Sequence, residues 1–104
     1  MQILINTDNN ISGTEEMREP LKASIENAFD RFSDHLTRIE VKISDENGDK
    51  SSDNDKRCVL EVRLKGMQPI VVTSSGDSIE NAVNEAIDKM KTSLDTVMGR
   101  LRNY

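Results

Sequence analysis

The last quarter of the chain places the firmest constraint on its fold. Ile79, Ala82, Val83, Ala86, Ile87, Met90, Leu94, Val97 and Leu101 recur at helical spacing, which gathers them into one stripe along a single helix. Before them, Asp77-Ser78-Ile79-Glu80 offers a capping oxygen with an acidic residue three positions on, as a helix start requires. Gly99 lowers helix propensity near the far end, so the last turn is expected to be the weakest. Such a stripe needs a second apolar surface to lie against.

Strands supply that surface. Ile39, Val41 and Ile43 alternate with Arg38, Glu40, Lys42 and Ser44, and Cys58, Leu60, Val62 and Leu64 alternate with Arg57, Val59, Glu61, Arg63 and Lys65. A period of two marks strands with one buried face. Residues 1–6 read as a further strand with Ile3 and Ile5 on one side. Gly66-Met67-Gln68-Pro69 reads as a turn into a β-branched strand over 70–73. Between the first two strands, Ser12-Gly13-Thr14-Glu15 signals a helix start, and Met17, Leu21, Ile25, Ala28, Phe29, Phe32 and Leu36 form its stripe. Pro20 implies either a kink in the first turns or a helix that begins at about Glu19. The expected architecture is α+β, in the order β-α-β-β-β-α. The first and second strands should be parallel through a right-handed crossover, the later ones antiparallel, with both helices on one face of a four-stranded mixed sheet.

A chain of 104 residues suits one domain, expected to span 1–104. Although 32% of it is charged, the apolar residues are periodic, which excludes disorder. No apolar run is long enough for a membrane span, and residues 1–6 lack the pattern of a signal peptide. Cys58 is the single cysteine, so no internal disulfide is expected and a reducing compartment, the cytoplasm, is implied. The formal net charge of −5 argues on its face against a nucleic-acid partner. Much of it, however, sits in the loop 45–55, where Asp45, Glu46, Asp49, Asp53 and Asp55 face only Lys50.

The order of elements, the opening Met1-Gln2-Ile3-Leu4-Ile5, the stretch from Thr14 to Leu21, and Ile39-Glu40-Val41-Lys42-Ile43 all point the same way. With the closing helix (Ile79, Ala82, Val83, Ala86, Ile87, Asp88, Lys89, Met90, Leu94) they resemble the ribosome hibernation-promoting and ribosome-associated inhibitor family, also called sigma-54 modulation proteins. The resemblance covers nearly the whole chain. It implies a non-enzymatic protein without cofactor that binds ribosomal RNA of the small subunit near the decoding region and inhibits translation in stress or stationary phase. From its length, the chain is expected to lack the second domain through which longer members dimerise ribosomes. Family members touch RNA phosphates with Lys and Arg on the helices and adjacent strands. Lys89 falls where the family commonly has lysine, and Lys22 and Arg31 are basic positions of the first helix. With Lys91, Arg100 and Arg102 they form the candidate RNA-binding set; for each, the alternative is an ordinary solvated helix face. This chain departs from the family's basic run after Lys89, where Thr92 to Met98 intervenes before Arg100 and Arg102.

The residues themselves suggest no catalysis. His35 is the single histidine, which excludes a multi-histidine metal site, and it is expected at the surface near the end of the first helix. Cys58 shares the apolar face of its strand and is expected to be a buried thiol. Asp45-Glu46-Asn47-Gly48-Asp49 resembles a calcium loop only until Lys50 and Lys56 stand where Gly and Glu are needed, so a solvated loop is expected. Phe29 and Phe32 lie on the core stripe and Tyr104 is terminal, so any RNA is read by backbone and shape rather than stacked bases. Arg38, Glu40, Lys42, Arg57, Glu61, Arg63 and Lys65, with Val59 and Val71, should cover the outer sheet face. Opposite charges are expected to pair across neighbouring strands there. That face is also the place for a protein partner or a homodimer. Two functions follow: ribosome binding, or a diverged member acting through a protein partner.

Overall fold

The computed structural model describes residues 1–8, 15–45 and 56–102, with backbone alone at the outer helix ends, 15–17 and 100–102. Its elements run β1 (Gln2–Thr7), α1 (Glu15–Phe29), a 3-10 turn (Asp30–Phe32), β2 (Leu36–Asp45), β3 (Lys56–Leu64), β4 (Ile70–Gly76) and α2 (Ile79–Arg102). The sheet order is β1-β2-β3-β4. β1 lies parallel to β2, while β2–β3 and β3–β4 are antiparallel. This is the expected α+β architecture.

One face of the sheet carries the core. Ile39, Val41 and Ile43 of β2 stand opposite Val62, Leu60 and Cys58 of β3, and all six are buried. Ile25 and Phe29 of α1 and Ala82, Val83, Ala86, Ile87, Met90 and Leu94 of α2 close over them. α2 lies on β3 and β4, and α1 on β1. Met98, which the helical stripe passed over, is buried as well.

Two local expectations, the end of α1 and the length of β4, are corrected, and two left open, at Pro20 and at the cap of α2, are settled. α1 stops at Phe29, so Phe32 belongs to the 3-10 turn and Leu36 opens β2. The amides of Ser33, His35 and Leu36 each reach back three residues, to Asp30, Phe32 and Ser33, tightening the chain out of the α-helical repeat. A register shift between Leu36 and Arg38 then lets Leu36 and Ile39 both face the core. Three residues apart, they cannot do so in a regular strand, and the four-residue step from Phe32 to Leu36 imitates a helical one. Pro20 lies inside α1, which starts at Glu15 rather than Glu19. β4 continues past Thr73 to Gly76. Lastly, the cap of α2 is Ser78, whose Oγ accepts the amide of Asn81 at 3.1 Å, while Asp77 accepts the Asn81 side chain.

β4 and α2 meet at a close backbone approach. A Cβ on Gly76 would stand 2.7 Å from the backbone nitrogen of Ala82, a distance that forces displacement. Two residues earlier, the buried Ser74 donates its hydroxyl to the carbonyl of Ala82. A small residue and a donor therefore dock the start of α2 onto the end of β4. Gly76→Ala is expected to destabilise the fold by about 1–3 kcal/mol, in the range of overpacked sites. Urea unfolding would show it as a lower midpoint with an unchanged slope.

Candidate nucleic-acid interface

Four of the six candidate RNA-binding cations have described side chains, and the fold spreads them across the helix layer. Lys22, on α1, lines a groove of about 630 Å³ beside β1, with Gln2, Leu4, Glu26 and Asp30. Lys89, on α2, reaches the other edge of the sheet, where its Nζ donates to the Thr73 carbonyl of β4 at 2.9 Å. Arg31 sits between them on the 3-10 turn. Its guanidinium lies 4.2 Å from the centre of the Phe32 ring and 2.9 Å from a carboxylate oxygen of Asp95 on α2. Lys91 is half-buried; two residues from Lys89, it projects about 200° away around the helix. Arg100 and Arg102 lie within α2, with side chains outside the described residues.

Two of these cations, Arg31 and Lys89, have partners within the chain, although weak ones. Arg31 and Asp95 are 58% and 53% exposed, and a solvated pair of this kind contributes about 0–1 kcal/mol. Lys89 also approaches Glu85 at 3.9 Å, one turn back on α2. Its bond to Thr73 covers an outward carbonyl of an edge strand, a position where lysine discourages strand-to-strand association. The sequence identified the cations but not their acceptors: Asp95 and Thr73 come into reach only through the packing of α2.

The outer sheet face is uncovered by either helix and holds a second set of charges. The register sets Arg38 opposite Arg63 and Glu40 opposite Glu61. The expected cross-strand pairing of opposite charges is therefore absent at these positions. Opposite charges meet along each strand instead, Arg38–Glu40 at 3.5 Å and Arg63–Glu61 at 3.1 Å. At the sheet's end, Lys56 pairs with the buried Asp45 at 3.3 Å. The rest of the acidic loop, 46–55, lies outside the described residues.

Neither thiol nor imidazole forms a reactive centre here. His35 is exposed, in the turn before β2 rather than on α1. Cys58 is buried, and burial pushes its thiol up to about 11 from an ordinary 9.0. The folded chain thus keeps a proton that the unfolded chain releases. Burial of this thiol leaves stability undiminished below pH 9 and lowers it as pH rises from about 9 through about 11. Urea unfolding between those limits is expected to show a decline that is shallower in Cys58→Ala.

Residues 5–102 match the sequence profile of the family described as Sigma 54 modulation protein / S30EA ribosomal protein. The fold is similar to that of a ribosomal subunit interface protein from Coxiella burnetii, with a TM-score of 0.71 at 19% identity, covering 95% of this chain and 99% of that one. It is also similar to the N-terminal domain of Protein Y from Thermus thermophilus, with a TM-score of 0.69 at 20% identity and coverage of 91% and 94%. No curated protein matches the chain in sequence.

Proposed function

Because the chain belongs to the sigma 54 modulation protein / S30EA ribosomal protein family, we propose that it is a ribosome-associated protein without enzymatic activity. It binds the small subunit near the decoding region and inhibits translation in stress or stationary phase. The observation that carries this reading is the family match across residues 5–102, nearly the whole fold. The cytoplasm is the matching compartment. Among the described residues no helix is long and apolar enough to cross a membrane.

In this reading the helix layer faces RNA. Lys22, Arg31, Lys89 and Lys91, joined by Arg100 and Arg102 from the end of α2, approach separate phosphates rather than one. Their spacing from one sheet edge to the other suits an extended, folded RNA surface better than a single strand. Specificity comes from shape, since Phe29 and Phe32 are buried and unable to stack on bases. A dispersed set also fits an acidic chain: each contact adds a modest, salt-dependent increment, and no strongly positive patch is needed.

Co-sedimentation of the purified chain with ribosomes tests this. Association is expected at low salt and should fall steeply as salt rises. In Lys22→Ala/Arg31→Ala/Lys89→Ala, the slope of log affinity against log salt should become shallower by about 0.7–0.9 for each phosphate contact removed. A folded chain that stays in the supernatant at low salt would instead favour a diverged member acting through a protein partner.

A further inference from the structure

The outer face of the sheet bears a charge pattern that complements itself. Three rows cross it. Gln2, Arg38 and Arg63 form the first; Leu4, Glu40, Glu61 and Val71 the second; Asn6, Lys42, Val59 and Thr73 the third. Two arginines side by side thus border two glutamates side by side. Like charges directly opposite each other on adjacent strands are unfavourable, and the two lengthwise ion pairs offset this only in part. Leu4 and Val71 bracket the glutamates, and Val71 is 54% exposed.

We propose that this face docks a second copy of the chain through an isologous contact. A two-fold axis in the contact plane, running along the rows between arginines and glutamates, lays β2 over β2 of the second copy and β3 over β3. Each arginine row then faces the other copy's glutamate row, so that Arg38 meets Glu40 and Arg63 meets Glu61 in both directions. The alternation absent across the strands of one copy is completed by the other, while Leu4 and Val71 lose solvent. RNA suits this face less well, because Glu40 and Glu61 lie at its centre, where phosphates would come. Four strands spaced about 4.8 Å apart make a small contact, below the roughly 800 Å² per partner of a standard interface. The association is therefore weak and salt-sensitive. It is independent of ribosome binding, which uses the opposite side of the molecule.

Sedimentation velocity over a wide concentration range, at low and high salt, tests the contact. The wild type is expected to pass from monomer to dimer at low salt and to associate at least about tenfold more weakly at high salt, where exposed charges are screened. Arg38→Glu/Arg63→Glu and Glu40→Arg/Glu61→Arg should each be monomeric alone and form a one-to-one heterodimer when mixed. Val71→Asp, at an exposed edge position, should abolish association without disturbing the fold and decides the matter if a charge-swapped chain does not fold. A wild type that remains monomeric throughout overturns the proposal, as does a folded pair that fails to associate on mixing. If the wild type is monomeric and the charge-swapped chains lose only ribosome co-sedimentation, the face is an RNA contact and the dimer is excluded.

Discussion

The pairing of β2 with β3 is the constraint from which both surfaces of the sheet follow. A slip of one residue would turn Ile39, Val41 and Ile43 to solvent and bring Arg38, Glu40 and Lys42 into the core. A slip of two would keep the apolar face inward and set Glu40 opposite Arg63 and Lys42 opposite Glu61, better partners than those observed. The ends of the ladder exclude it. Asp45 is buried and meets Lys56, directly opposite, at 3.3 Å. At the other end Leu36 stands opposite Leu64, and the amide of Lys65 donates to the His35 carbonyl at 3.0 Å. A two-residue slip would place the Asp45 carboxylate opposite Cys58, leaving a buried charge without its cation, a far larger cost than poor pairing of solvated ones. Ladder ends therefore decide the register, and the like-with-like rows of the outer face follow from it.

Periodicity made most of this fold legible, and its failures share one cause. The alternation of Cys58, Leu60, Val62 and Leu64 and the stripe of α2 each describe one element against one partner, so pattern alone assigns their buried side. Leu36 failed because a bulge changes the phase of burial, and a spacing of three or four is then ambiguous between strand and helix. The segment Asp77-Ser78 offered two capping oxygens, and which of them caps, Ser78 as it proves, depends on where the chain leaves β4. The side occupied by Arg38, Glu40, Glu61 and Arg63 was readable; their neighbours were not, since register is a property of two segments together. The same limit held for Lys89 and Arg31, whose partners Thr73 and Asp95 lie 16 and 64 residues away.

The proposed phosphate-binding role does not rest on segregated charge, because both signs stand on each layer of the fold. The helix side carries Lys22, Arg31, Lys89 and Lys91, interspersed with Glu26, Glu85 and Asp95, while the opposite side carries the paired rows of the sheet. For a phosphate to engage Arg31 it must displace Asp95, a solvated partner whose loss costs no more than about 1 kcal/mol. A guanidinium–phosphate contact is charge-assisted and commonly bidentate, so it competes well. Lys89 differs in kind. Its ammonium covers the Thr73 carbonyl on the outer edge of β4, and a phosphate that draws it away uncovers part of that edge. In the proposed RNA-bound state, a phosphate contact at Lys89 would therefore come at the expense of the bond to the Thr73 carbonyl.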